Sequence, residues 1–391
     1  MLKLNKKGYK MAILKQGEKN YLEEHSKEKV AFYEKYLDLY LTVLINSSYV
    51  KAINIYDIFC GVGIYDGDGS KGSPVIAMEC IKKQLYIHGK NNNKPISLLI
   101  NDGDKKRVEI AKNHIEQYCN SKCRFSAFNL DAKEIFPLVI DKIKTSTKNE
   151  NHFVFIDPHG YKDIYKSDIV NIMEAGKSEI LIFLPIHLMY RFLKPTQKDK
   201  ENPSYKPLRR FMTEFNLDYN AQSPQEYIKH IEKAFLCDEK YYTSSYILQA
   251  QSNNFYALFF ITKHIRGLEK AIDTKWTLDK LCGKGFEKKQ SISLFEEEEK
   301  ENKKENCLEE FKAKLIKYLY KEKTNNEIYL FTLKNGFLIK HTNAILKQLS
   351  EQNNLIFDRQ IRKNTFYLNY KEYYKNNIIK YKVKINEQIK N

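Results

Sequence analysis

Two short stretches bring together the residue types and spacings that do chemistry. In the first, the apolar run Asn54–Ile58 carries Asp57 and continues into Phe59-Cys60-Gly61-Val62-Gly63. A strand that ends on a carboxylate and turns on two glycines one residue apart lets backbone approach a ligand closely, since glycine adopts conformations that other residues avoid. In the second, a later apolar run closes on Asp157-Pro158-His159-Gly160-Tyr161. A carboxylate at such a point accepts an N–H from an exocyclic amine and aligns its lone pair, and Tyr161 offers a flat ring to a base taken out of its stack. Between the two, Leu98-Leu99-Ile100 runs into Asn101-Asp102-Gly103-Asp104. There Asp102 is placed to accept the hydroxyls of a ribose, and Asp104 to cap a helix opening at Lys105. Phe128-Asn129-Leu130-Asp131 ends a further strand, where Asp131 either receives the amine of an adenine or caps the helix from Ala132. The ammonium, ribose and adenine that these carboxylates suit belong together in one molecule, S-adenosylmethionine (SAM). The expected cofactor-binding residues are Asp57, Phe59, Gly61, Gly63, Asp102 and Asp131, and the expected catalytic set is Asp157, Pro158, His159 and Tyr161. A plain tight turn at Gly61–Gly63 and an ordinary strand end at Asp157 are the blander alternatives.

The elements that must position these residues are legible as periodicity. Strand-like runs at Ile53–Ile58, Ser97–Asn101, Arg124–Asn129, His152–Asp157 and Glu179–Leu184 alternate with helical stretches at Pro74–Leu85, Lys105–Tyr118, Ala132–Ile143 and Ser167–Ala175. Such alternation predicts βαβ units and a mostly parallel sheet. Two more runs, Ser245–Ala250 and Phe255–Thr262, are separated only by a few polar residues and predict an antiparallel hairpin at the sheet's end. The expected fold is α/β, a Rossmann-like class I methyltransferase sheet with a helical insertion and a C-terminal winged-helix domain. Upstream, KVAFYEKYLDLYLTVLI over Lys29–Ile45 has Phe32, Tyr36, Leu39 and Val43 at helical spacing. His25, Lys27 and Lys29, around the start of that helix, either approach substrate or, more blandly, lie in solvent. Gly67–Pro74 is glycine-rich but lacks the Gly-Lys-Ser/Thr order of a phosphate loop; it reads as a helix start at Ser73-Pro74 or as a lid.

The expected boundaries are a helical segment over 1–50, the class I methyltransferase-like domain over 51–285 with an insertion at 194–240, a charged linker over 286–306 and a winged-helix domain with a basic tail over 307–391. In the last part, CLEEFKAKLIKYLYKEK and HTNAILKQLSEQNNL predict two helices, and IFDRQIRKNTFYLNY predicts a hairpin turning near Arg362-Lys363-Asn364. Arg359, Arg362 and Lys363 are the nucleic-acid-binding candidates. The chain of 391 residues carries a net charge of +17, and from Lys303 to Asn391 there are 19 Lys and Arg against 9 Asp and Glu. That field favours a polyanion such as DNA or RNA. Seven dispersed Cys predict neither a disulfide framework nor a zinc site, and suit a reducing cytoplasm. No signal peptide, membrane span or metal cluster is expected. Trp276 is expected to pack at the end of the core.

Four segments, HSKEKVAFYEKYLDLYL, YDIFCGVGIYDGDGSKGSP, FIDPHGY and KWTLDK, carry a resemblance to the three-Cys-motif partner protein (TcmP) family over roughly residues 25–285. That family has Asp-Pro-Phe-Gly where this chain has Asp157-Pro158-His159-Gly160, and commonly Ala where Cys60 stands. The resemblance implies a class I methyltransferase-like domain, often followed by a winged helix, and a partner protein bearing a three-cysteine, radical-SAM-like motif. The Asp-Pro-x-Gly element is similar to one in tRNA guanine-N2 methyltransferases, and the overall order resembles that of rRNA adenine-N6 enzymes. The expectation is therefore N-methylation of an exocyclic amine of a nucleic-acid base. A catalytically inactive platform that docks the three-Cys protein or nucleic acid is the competing expectation.

Overall fold

The computed structural model describes residues 21–88, 94–116, 123–251, 254–287, 296–358, 362, 365–375 and 378–384. The chain opens with α1 (Glu24–Ile45), then β1 (Ala52–Asp57), α2 (Ser73–His88), β2 (Ile96–Asn101), α3 (Lys105–Glu116), β3 (Cys123–Phe128), α4 (Ala132–Lys144), β4 (Glu150–Ile156), α5 (Lys166–Ala175) and β5 (Lys177–Leu184). The insertion between β5 and β6 begins at Ile186, eight residues before the expected 194, and holds α6 (Ile186–Arg191), α7 (Leu193–Lys198), α8 (Lys206–Glu214) and α9 (Pro224–Ala234). The sheet is completed by β6 (Tyr242–Gln251), β7 (Asn254–Thr262) and, after α10 (Ile265–Leu278), by β8 (Gly285–Glu287). Strand order is β3-β2-β1-β4-β5-β7-β6-β8. The first five strands are parallel, while β7 runs antiparallel to both β5 and β6. This is the doubly wound, mostly parallel sheet with an antiparallel terminal hairpin that the alternation of runs predicts. The sequence reading did not contain β8, whose three residues pair in parallel with β6.

Strands covered on both faces read as continuous apolar runs whose alternate residues serve different cores. In β4, Val154 and Ile156 join α4, α5 and the insertion on one face, whereas Phe153 and Phe155 join α1, α2 and α10 on the other. The helix α1 begins five residues earlier than its apolar pattern suggested. Its buried stripe is His25, Lys29, Phe32, Tyr33, Tyr36, Leu37, Tyr40 and Leu41, with Leu39 and Val43 only partly buried.

The C-terminal part contains α11 (Glu296–Tyr318), β9 (Lys323–Thr324), α12 (Asn325–Lys334), α13 (Ile339–Glu351), β10 (Leu355–Phe357), α14 (Tyr370–Lys375) and β11 (Lys380–Val383). The helix α11 starts at Glu296, inside the stretch expected as a linker, and two further features differ from the expectation. The first is α12, announced by a capping box in which Thr324 and Glu327 satisfy each other's backbone amides. The second concerns the wing: β10 pairs antiparallel with β11, not with the segment after Asn364. Phe366 and Leu368 are each 4% exposed and face the domain's core, but residues 365–368 form no strand. Buried Tyr381 and Val383 alternate with exposed Lys380 and Lys382 and supply the missing strand instead. Arg359 and Lys363 lie outside the described residues; Arg362 is exposed.

A third core spans the junction, with Leu268, Ile272 and Trp276 of α10 packing among Phe311, Leu315, Tyr329 and Phe337. Trp276 donates from Nε1 to the Gly336 carbonyl at 2.8 Å, and its ring lies edge-on to His341 with centroids 4.3 Å apart. Trp276→Phe keeps most of the apolar surface but leaves that carbonyl without its donor, a loss of about 1–3 kcal/mol. The expected result is a lower melting temperature together with faster proteolysis between residues 285 and 306. An unchanged cleavage rate would show that the Trp276 contact does not hold the two parts together.

Candidate active site at the carboxyl edge of the sheet

Adjacent strands β2, β1 and β4 end side by side, so the residues that follow them share one edge. At the end of β1, Asp57 is fully buried and neither of its carboxylate oxygens has a hydrogen-bond partner. Burial pushes its pKa up to about 7, and Ser73 offsets part of this. The charges of Asp157 and Asp102 push it further up and that of Lys29 pulls it down. The Ser73 hydroxyl is near enough to temper the carboxyl without making a well-formed hydrogen bond to it.

The turn that follows is pinned by the neighbouring strands. Ile58 donates its N–H to the Phe155 carbonyl, Cys60 to that of Asn101, and Gly61 to Asp102 Oδ2 at 3.1 Å. Gly61 has φ +64° and Gly63 φ +79°, the left-handed region where side chains are strained. The two glycines differ in purpose. A Cβ at Gly63 would press on Ala111 and Val75 at 3.3 Å, whereas one at Gly61 would meet nothing within 4 Å. Gly63 therefore serves helix packing, and Gly61 borders open space. Phe59 is half-buried, edge-on to Phe136.

Asp102 is 5% exposed and accepts from Asp104 N–H through its other oxygen. Beside it, Asn101 ties three loops together: its Nδ2 donates to the Ile58 and Leu130 carbonyls, and its Oδ1 accepts from Leu130 N–H. Asp104 caps α3 through Lys106 N–H, as its position suggested. Asp131 takes the helix-capping alternative, accepting from Lys133 N–H in a capping box with Glu134, and is exposed.

At the end of β4, Asp157 Oδ2 is engaged by the ammonium of Lys29, which also lies 4.7 Å from the centre of the Phe183 ring. Both side chains are mostly buried, at 11% exposure for Lys29 and 18% for Asp157. His25 stacks on Tyr256 with centroids 4.1 Å apart, and Tyr256 stacks in turn on Phe183. The solvated reading of the helix start is thus overturned for His25 and Lys29; Lys27 is exposed and pairs with Asp68 at 3.3 Å. Sequence reasoning missed this because the partners are 128 residues apart. The available signal was the stripe itself: Phe32 and Tyr36 extend backward at helical spacing to Lys29 and His25.

The remaining catalytic candidates are dispersed around Asp157. Pro158 is buried, and Tyr161 is half-buried against the core next to the insertion. His159 is exposed on one side, yet local desolvation and then the Arg107 guanidinium lower its pKa. Its Nε2 lies 2.6 Å from Arg107 Nη1, and since a guanidinium only donates, the imidazole accepts. Because Arg107 follows β2 and His159 follows β4, this bond bridges the end of the intervening β1. The glycine-rich loop is closed on itself, with Ile64 bridging Lys71 and Gly72 donating to the Gly63 carbonyl at 2.6 Å.

Two buried carboxyls hold protons to unusually high pH. Glu179, like Asp57, is raised to about 7 by burial, although Tyr36 and Thr262 donate to it. The native protein therefore keeps protons that the unfolded chain loses near pH 4, and its stability should fall as pH rises from about 4 to 7. Urea titrations across that range test the slope, and Glu179→Gln should flatten part of it.

Among the described residues no helix is long and apolar enough to cross a membrane, and no group of His, Cys, Asp and Glu could hold a metal ion. The described cysteines are free thiols, and Cys119 lies outside the described residues. A cavity of about 570 Å³ opens near Cys282 and Cys307, but none of the residues above line it.

Residues 285–361 match a family model described as the GMT-like wHTH domain, a winged helix-turn-helix. No curated protein matches the chain. Among solved structures, the chain is similar to the O-methyltransferase TomG from Streptomyces achromogenes, in complex with SAM, at 10% identity, with 62% of this chain and 91% of that one covered and a TM-score of 0.32. It is likewise similar to an O-methyltransferase from Bacillus cereus, in complex with SAH, at 12% identity, with 59% and 80% covered and a TM-score of 0.32.

Proposed function

We propose that this protein is a SAM-dependent methyltransferase that N-methylates an exocyclic amine of a nucleic-acid base and works with a three-Cys-motif protein. The observation that carries the reading is Asp57. A fully buried carboxylate with both oxygens unpartnered is costly unless a cation completes it, and the ammonium of SAM is such a cation. The open space at Gly61 suits the same ligand. Asp102 would accept the ribose hydroxyls, because each of its oxygens has one backbone donor and a lone pair left. Asp131 would reach the adenine amine only with capacity left over from its helix cap.

When bound, SAM supplies a methyl group already activated for transfer, so the protein's task is positioning. Asp157 would accept an N–H of the substrate amine, hold its lone pair toward the methyl, and take up the proton released on transfer. The basic C-terminal domain would deliver the polyanion, with Arg359, Arg362 and Lys363 contributing phosphate contacts and hence salt dependence. The three-Cys partner comes from the resemblance of the YDIFCGVGIYDGDGSKGSP block.

One observation favours the platform reading: Asp157 is already paired with Lys29. Nucleoside mass spectrometry after incubation with SAM and mixed DNA and RNA separates the two. An N-methylated base is the expected product. Failure to form one, together with no calorimetric binding of SAM, would leave only the platform.

A further inference from the structure

The Lys29–Asp157 pair is more than a charge neutralised at the end of α1. The Lys29 ammonium carries three N–H donors, and among the described residues its hydrogen-bond partner is Asp157 Oδ2 alone. Asp157 Oδ1 in turn accepts no hydrogen bond from a described residue. A spare acceptor therefore stands beside spare donors, both mostly screened from water and backed by the Phe183–Tyr256–His25 stack. Side by side, an acceptor and a donor present the same pattern as a primary carboxamide. That pattern is complementary to a planar edge on which an N–H adjoins a lone pair.

We infer that Lys29 determines specificity: Asp157 takes the exocyclic amine, Lys29 donates to the unprotonated ring nitrogen next to it, and the pair selects adenine or cytosine. The inference rests on the methyltransferase reading above and deepens it by naming the substrate class. Adenine places N1 beside its N6 amine, and cytosine places N3 beside its N4 amine. On the same edge guanine sets N1–H beside its N2 amine, so a donor would face Lys29; its other neighbour, N3, lies toward the sugar. Uracil and thymine have no amine at all. A base turned out of its stack is read along this edge. A buried donor left facing another donor, or facing carbon, forfeits its hydrogen bond and its hydration together.

The test uses the full chain loaded with SAH and two single-stranded oligonucleotides. One carries a single adenine in a thymine run; the other carries 1-deazaadenine there, which replaces the N1 lone pair by C–H. Wild type is expected to bind the deaza oligonucleotide about tenfold more weakly, Lys29→Met to bind both equally, and Lys29→Arg, which keeps a donor, to retain the preference. A deaza penalty of equal size in wild type and Lys29→Met would overturn the inference, as would the absence of any penalty in wild type. Cytosine and 3-deazacytosine repeat the comparison. Calorimetric titration of SAH into wild type distinguishes the two levels of failure. Without SAH binding the methyltransferase reading itself falls; with SAH binding but no deaza penalty, only the assignment of Lys29 does.

Discussion

Asp57→Asn is expected to weaken SAM and SAH binding by roughly ten- to a hundredfold, corresponding to a lost hydrogen bond to a charged group of about 1.5–3 kcal/mol, while making the unliganded protein more stable above pH 7. The two effects have one origin. Asp57 is fully buried with both oxygens unpartnered, and burial raises its pKa from 3.8 to about 7. In the unliganded protein, ionisation there opposes folding by an amount on the order of 4 kcal/mol, most of it appearing between pH 4 and 7. Asparagine has nearly the same shape and no charge, so it removes that penalty and also removes the partner an ammonium needs. For the same reason, SAH affinity in wild type should rise with pH through about 7 and lie flat in the variant. Calorimetry and urea titrations at pH 6 and 8 check both halves. A variant that lost stability but bound SAH normally would mean that the carboxylate serves the fold alone.

Asp157→Ala should reduce methyl transfer by roughly a thousandfold, in the range found for a group that positions and deprotonates the nucleophile, with SAH binding changed only a few-fold. It should also destabilise the protein by about 3 kcal/mol, because Lys29 is left in a mostly buried position without its counter-charge. Adding Lys29→Met to Asp157→Ala separates these roles. The double variant is expected to recover most of the stability and none of the turnover. Recovery of turnover would remove Asp157 from the chemistry.

Much of the sheet could be read from residue order, because parallel strands buried on both faces leave apolar runs that stop abruptly on polar residues. Asp57, Asn101 and Asp157 mark three such stops, and these adjoin in space. The site's other half was not legible. Lys29 and His25 enter it from a helix far off in sequence, and a lysine in a charged stretch normally signals solvent. Arg107 meets His159 across 52 residues by a contact that no local pattern encodes. The wing was misplaced for a different reason: Thr365–Asn369 alternates polar and apolar residues as a strand does, but the partner of β10 is β11, well beyond it in sequence. Asp131 shows the reverse case, since a local helix cap explains its type without any ligand.

The helix α10 is shared by two cores: Ala271 packs toward the sheet, while Trp276 and Ile272 pack toward the C-terminal helices. A polymer bound by the terminal module would consequently be held at a fixed offset from the carboxyl edge of the sheet, as by a jig. Under the proposed function, target choice would then depend on the spacing between the gripped stretch and the modified nucleotide as well as on the nucleotide itself.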